Sequence, residues 1–298
     1  MKRTPYIPSN GGIIFSAEKH QYFNNSDLTF FDYLSDVKNN LHENNSRGID
    51  SCMNSKEVYV IGNNQLIKLN YYGDVLNDYN FGSGIYPDFI SVIQHKALNP
   101  YVKGEGCWVG TGNGLYRLDE DLNLKVHIND FTDIKWIQSC QDGGCYIVGN
   151  GSDYIYRLDE NGFIISSISL SEMDIIDYSY IKDLDIDREN NLWIATYDKI
   201  FVVDRDSLII KEIEMLNLIS SGSEGEDYIE DIYVEKYRSS NRIYVASFIS
   251  NEGWLSSIDN QGNLINSSSI SGENFLKIKS IENESVNLMY IVSGDDSE

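Results

Sequence analysis

Few residues in this chain have the types and spacing to do chemistry. Asp183, Asp185 and Asp187 alternate and are followed by Glu189. On a strand, period two puts the three aspartates on one face, where carboxylates could gather a calcium ion. A calcium loop of the helix–loop–helix type would need glycine at the position of Arg188, so the expectation is a solvated strand face running into a turn. Gly110, Gly112 and Gly114 imitate a phosphate-binding loop, but no helical pattern follows to point an N-terminus at an anion. They read as hairpin-turn glycines. Cys140 and Cys145 flank Gln141-Asp142-Gly143-Gly144 and face each other across a hairpin, either bridged or as two small strand residues. The spacing is not that of a zinc site, and the histidines, His20, His42, His95 and His127, form no i,i+4 pair. No nucleophile elbow occurs. The expectation is no catalytic residue, no metal site and no cofactor.

The elements that would position such groups follow from a repeat. An aromatic followed by Val or Ile recurs at Tyr59, Trp108, Tyr146, Trp193, Tyr244 and Tyr290, spaced 49, 38, 47, 51 and 46 residues apart. After each comes a turn and a second apolar run ending near Asp, as in Leu115-Tyr116-Arg117-Leu118-Asp119, Ile155-Tyr156-Arg157-Leu158-Asp159 and Ile200-Phe201-Val202-Val203-Asp204. A polar turn and a fourth run follow, and a first run precedes the aromatic, as in Ile90-Ser91-Val92-Ile93. Four short antiparallel strands in about 46 residues form one blade of a β-propeller. Solenoid coils are shorter and use parallel strands, which these tight turns exclude.

The expected fold is therefore all-β: a single propeller domain over residues 1–298, of about six four-stranded blades starting near residues 48, 89, 134, 180, 228 and 276. The last unit stops after two strands. Residues 1–47 are expected to complete it, with strands at 12–17 and 28–33 pairing with 276–293 and removing two sheet edges. Phe30, Leu34, Val37 and Leu41 also have helical spacing, so a short helix is the alternative there.

The segments Trp108-Val109-Gly110-Thr111-Gly112-Asn113-Gly114-Leu115-Tyr116-Arg117-Leu118-Asp119 and Asp185-Ile186-Asp187-Arg188-Glu189-Asn190-Asn191-Leu192-Trp193-Ile194-Ala195-Thr196 resemble the repeat of two-component-regulator propellers. The second also resembles NHL-type and gluconolactonase-type blades. The matching residues are turn formers and core aromatics, so the resemblance implies a fold and little about activity. In regulators such propellers are sensor regions joined to a membrane span and a kinase, and this sequence shows neither.

The formal charge of −23 repels phosphates and anionic lipid, which argues against nucleic-acid binding and membrane insertion. No apolar stretch follows the N-terminal Met1-Lys2-Arg3-Thr4-Pro5, so synthesis in a cytoplasm is expected. The least bland region is the set of connections between blades, which share one face with the middle hairpins. Acids and aromatics alternate there: Tyr86 and Asp88, Phe131 and Asp133, Tyr178 and Tyr180, Asp227 and Tyr228, and Phe275. Exposed aromatics beside hydrogen-bonding acids suit a protein or glycan surface. The reading is a non-enzymatic propeller that binds other proteins as a rigid module, as part of a larger assembly such as a phage particle. The alternatives are a lactonase-like metal-dependent hydrolase at the channel mouth and a sensor of a small ligand or glycan.

Overall fold

A computed structural model describes residues 46–52, 57–62, 64–70, 74–93, 106–149, 151–214, 228–234, 242–249, 252–270, 275–282 and 287–293. Among the described residues every regular element except two single 3₁₀ turns is a β-strand, and every pairing is antiparallel. The first sheet contains β1 (Ser46–Cys52), β2 (Glu57–Gly62), β3 (Gln65–Leu69) and β4 (Val75–Asn80). The second has β5 (Pro87–Val92), β6 (Cys107–Thr111), β7 (Gly114–Leu118) and β8 (Leu124–Ile128). The third has β9 (Ile134–Ser139), β10 (Cys145–Gly149), β11 (Tyr154–Leu158) and β12 (Ile164–Ser169). The fourth has β13 (Ile181–Ile186), β14 (Leu192–Thr196), β15 (Lys199–Val203) and β16 (Ile209–Glu214). The fifth has β17 (Tyr228–Val234), β18 (Ile243–Ile249), β19 (Glu252–Ile258) and β20 (Leu264–Ile270). Each is a meander whose neighbours in space are neighbours in sequence. The sixth has two strands among the described residues, β21 (Phe275–Glu282) and β22 (Asn287–Ser293). The expected partners at 12–17 and 28–33, and the strand-or-helix question at residues 28–41, lie outside the described residues.

The six repeat aromatics all fall on the second strand of their sheet, and the pairing puts them in one register. Tyr59 faces Asp50 and Lys68, Trp108 faces Ser91 and Arg117, and Tyr146 faces Gln138 and Arg157. Trp193 faces Asp185 and Val202, Tyr244 faces Tyr233 and Ser257, and Tyr290 faces Lys279. Tyr59, Trp108, Tyr146 and Trp193 are buried, and Tyr244 is half-buried. The core is divided into slices, one between each consecutive pair of the first five sheets; Tyr59, Ile61, Val92 and Val109 belong to the first slice, and Trp193, Ile200, Ile232 and Val245 to the last.

Two sets of polar groups tie each sheet to the next. On the first strands, Asp50 Oδ2 accepts from the Val92 N–H at 2.7 Å, Ser91 Oγ from the Ser139 N–H at 2.8 Å, and Asp185 Oδ2 from the Val234 N–H at 2.8 Å. The donor in each case lies one residue beyond the position equivalent to the acceptor's own. Asp185 is therefore buried, where the sequence suggested a solvated face. Asp183 shares that face and accepts from the Ile232 N–H at 3.3 Å, so the face runs into the seam rather than into solvent.

The second set is a row of cations opposite the aromatics. Lys68, Arg117 and Arg157 are buried, with their charged ends 5.5, 5.7 and 5.6 Å from the ring centres of Tyr59, Trp108 and Tyr146. Each also donates to a main-chain carbonyl of the next sheet: Lys68 to Glu120, Arg117 to Gly143 and Arg157 to Arg205. On β16, Lys211 reaches Asn260 in the same manner. Trp108 adds its indole N–H to Gly143 O at 2.9 Å.

The aspartate that closes the third strand of the second to fifth sheets has a local cause. Asp119, Asp159, Asp204 and Asp259 each accept with Oδ1 from the main-chain N–H groups two and four residues on. That satisfies the turn donors and fixes the turn before the fourth strand.

Candidate functional site

Consecutive first strands stand side by side, so the linkers between sheets and the middle hairpins share one end of the molecule. The expected residues distribute along that end. Tyr86 is exposed in the linker 81–86, and Asp88 is partly buried at the start of β5. Phe131 tilts against Tyr156 with 5.5 Å between ring centres, and Asp133 pairs with Lys135 at 2.8 Å. Tyr178 packs against the core slice between the third and fourth sheets, which makes it a packing residue. Tyr228 opens β17, Phe275 opens β21, and Asp227 lies outside the described residues.

The structure brings two of these residues, Tyr180 and Tyr228, into one array. Tyr180 packs edge-on against Tyr197 at 5.7 Å, Tyr197 edge-on against Tyr228 at 6.2 Å, and Tyr228 tilts against Phe248 at 5.4 Å. Tyr197 sits in the β14–β15 hairpin, and its carbonyl accepts from the Ile229 N–H at 2.8 Å, which joins the fourth and fifth sheets at this end. Lys182 on β13 places Nζ 4.0 Å from the Tyr197 ring centre and 5.0 Å from that of Tyr228. Two adjacent members, Tyr180 at 39% and Tyr197 at 41%, remain open to solvent. Tyr197, Phe248 and Lys182 were absent from the sequence expectation. Their signal was available: Tyr197 follows the repeat aromatic Trp193 by four residues and Phe248 follows Tyr244 by four, which places both at the same hairpin end.

The other candidates for chemistry resolve as structural. Cys107, Cys140 and Cys145 are free and buried, so Cys140 and Cys145 are not bridged. Burial pushes the Cys140 thiol up to about 12, and burial followed by the neighbouring Cys140 pushes Cys145 up as well. Both are thus protonated and poor nucleophiles at neutral pH. Gly114 closes the β6–β7 hairpin at φ 137°, with Thr111 Oγ1 donating to its carbonyl. Asp187 accepts from the main-chain N–H groups of Glu189 and Asn191 and from the Trp193 indole, so it is a turn cap. Among the described residues no three His, Cys, Asp or Glu side chains converge as metal ligands.

These antiparallel four-stranded sheets define the propeller class, and comparison with solved structures agrees at the level of fold. The complex of BBS1N with ARL6DN contains a chain that matches with a TM-score of 0.60 and 11% identity, over 85% of this chain and 75% of that one. A streptogramin B lyase matches with a TM-score of 0.56 and 13% identity, over 85% of each chain. The virginiamycin B lyase of Staphylococcus aureus, solved with quinupristin, matches at 0.53 and 16%, over 78% of this chain and 73% of its own. No protein family and no curated protein matches the sequence. At such identities the likeness carries the fold alone, and these neighbours include both lyases and a member of a protein complex.

Proposed function

We propose that this propeller is a non-enzymatic binding module that engages another protein through the end carrying the linkers and middle hairpins. The observation that carries the reading is the Tyr180–Tyr197–Tyr228–Phe248 array with Lys182 lodged in it. Aromatic side chains held by rigid strand ends lose little freedom on binding, which is why Tyr is enriched where interfaces concentrate their energy. Tyr86, Asp88 and Asp133 extend the same end and would form the rim, with Phe131 packed beneath them.

The module is a ring of six blades spanning residues 1–298, in which residues 12–17 and 28–33 add the two strands that β21 and β22 need. Support comes from the antiparallel pairing of β21 with β22 and from the contact of β21 with β17. A two-stranded sheet is marginal alone, so completion would stabilise it.

The test places a photo-crosslinking amino acid at Tyr197 in the full chain and applies it to an extract of the source cells. The expected result is a discrete crosslinked protein, lost when Tyr180 and Tyr228 are replaced by Ala and retained when Leu76 on the outer strand is replaced. Equal crosslinking by both variants, or ester and lactone hydrolysis by the purified chain that those tyrosine replacements abolish, overturns the reading. For the ring, deleting residues 1–35 should lower Tm and cause aggregation; a monomer with unchanged Tm rejects it.

A further inference from the structure

The tyrosine array contains two corners of nearly the same shape. Tyr197 and Tyr228 meet at 68° with centres 6.2 Å apart, and Tyr180 and Tyr197 meet at 74° with centres 5.7 Å apart. The first corner holds an ammonium group, that of Lys182, at 4.0 and 5.0 Å from the two rings. The rings present negative π faces, and a cation within about 6 Å of the centre is attracted to them. The second corner opens to solvent, since both of its tyrosines are exposed.

Building on the reading of this end as a binding surface, we infer that the corner between Tyr180 and Tyr197 receives a guanidinium or ammonium group from a cationic segment of a protein partner. Three observations converge. Lys182 shows that a corner of this geometry accepts a side-chain cation. Asp177 and Asp198, close in sequence to the two rings, are exposed, and the Ser179 hydroxyl and N–H that bond the Asp177 carboxylate hold it ionised. The chain carries −23, so its field draws cationic segments in and repels acidic ones. A sugar fits less well, because rings at 74° offer no continuous flat platform.

The test titrates the full chain with a tetra-arginine peptide by calorimetry, with a tetra-glutamate peptide and a neutral tetrasaccharide as comparison probes. The expected result is one-to-one binding of the arginine peptide alone. Tyr180→Leu should weaken it about two- to fivefold, the range for an exposed cation–π contact, while Tyr180→Phe retains it. Asp177→Asn should reduce the salt dependence. The inference is overturned if Tyr180→Leu binds the arginine peptide as tightly as the parent, which would mean diffuse charge attraction only, or if the tetrasaccharide is the probe that binds. Either failure leaves the crosslinking test of the binding end standing, because that test makes no assumption about the partner's charge.

Discussion

Asp185 offers the sharpest test of how the sheets are held together. Asp185 is 6% exposed, and its carboxylate accepts from the Val234 N–H of the next sheet at 2.8 Å and from the Ile186 N–H at 2.8 Å. Replacing it by Ala removes the acceptor and leaves the Val234 donor buried in the seam between the fourth and fifth sheets. A hydrogen bond to a charged group contributes about 1.5–3 kcal/mol, and an orphaned buried donor costs about 1–3 kcal/mol. The two figures describe the same loss from opposite sides, so they are not added; the expected destabilisation is about 3 kcal/mol. For a domain near 300 residues, with about 2.1 cal/mol/K of unfolding entropy per residue, that lowers Tm by about 5 °C. Asp185→Asn keeps one acceptor oxygen and should lose about 1 kcal/mol. The assay is urea unfolding followed by far-UV circular dichroism and, separately, by tryptophan fluorescence. Agreement of the two probes checks that the sheets unfold together. If Asp185→Ala lies within about 0.5 kcal/mol of the parent, the range of an ordinary surface change, the staple reasoning is refuted.

Further expectations follow from the same geometry. Arg157→Met keeps the stem against Tyr146 but removes the donors to Asp142 and Arg205 O, and should cost about 2 kcal/mol, read as a lower urea midpoint; a gain in stability would show that burying the guanidinium outweighs its bonds. Gly106 has φ 95°, and a Cβ there would lie 2.0 Å from Leu118 O, so Gly106→Ala should cost about 3 kcal/mol or more, whereas Gly112→Ala, with open space around it, should be nearly neutral in the same assay. The side-chain and then the main-chain hydrogen bonds from Asn263 hold the Asp259 carboxyl below its usual value, so its stabilising effect is complete above about pH 4 and lost as pH falls through the folded-state value. In a carboxyl NMR titration, Asn263→Ala should move Asp259 upward, and an unchanged midpoint would contradict the assignment. Cys107, Cys140 and Cys145 should react with a thiol reagent only after unfolding, monitored by mass; prompt labelling of any of them in the native protein would contradict their burial.

Much of the architecture was legible because it rests on local chemistry. The six repeat aromatics mark second strands, and Tyr59, Trp108, Tyr146 and Trp193 do so because each ring is buried in a seam between sheets. The Asp that ends each third-strand run marks a turn that it caps itself. The seam polar groups were harder to read, because their partners lie about 40 to 50 residues away and the pairing exists only once neighbouring sheets are stacked. Asp185 looks like any exposed strand acid until Val234 is placed beside it. Arg117 and Arg157 occupy the same place in two repeats that are nearly identical in sequence, and that recurrence marks a structural role. Lys68 and Lys211 hide the row because they come from a weaker repeat and from a different strand. At the candidate site, linker composition points to the end of the molecule that carries the linkers, where Tyr178 and Phe131 are drawn into packing and Tyr197 and Phe248 come from hairpins.

The seams and the aromatic array at the linker end are built from different residues, and that separation bears on the proposed role. Aromatic, cation and acceptor rows lie in the strands and in the turns at the opposite end, where each sheet grips the next. Among the described residues the linker end carries few of these ties: the Tyr197 carbonyl to Ile229 N–H bond is one. Substituting Tyr180 therefore disturbs no seam, whereas substituting Trp108 disturbs a core slice, a hydrogen bond and a buried cation together. A scaffold with its stability stored away from its exposed aromatic end can change what that end binds without unfolding. Lys182 marks the boundary between the two, since its stem rises from β13 beside the seam while its ammonium lies among the rings. A partner cation in the neighbouring corner would reproduce in trans a contact that the fold already makes in cis, and it would do so on rings whose positions the strands have set beforehand.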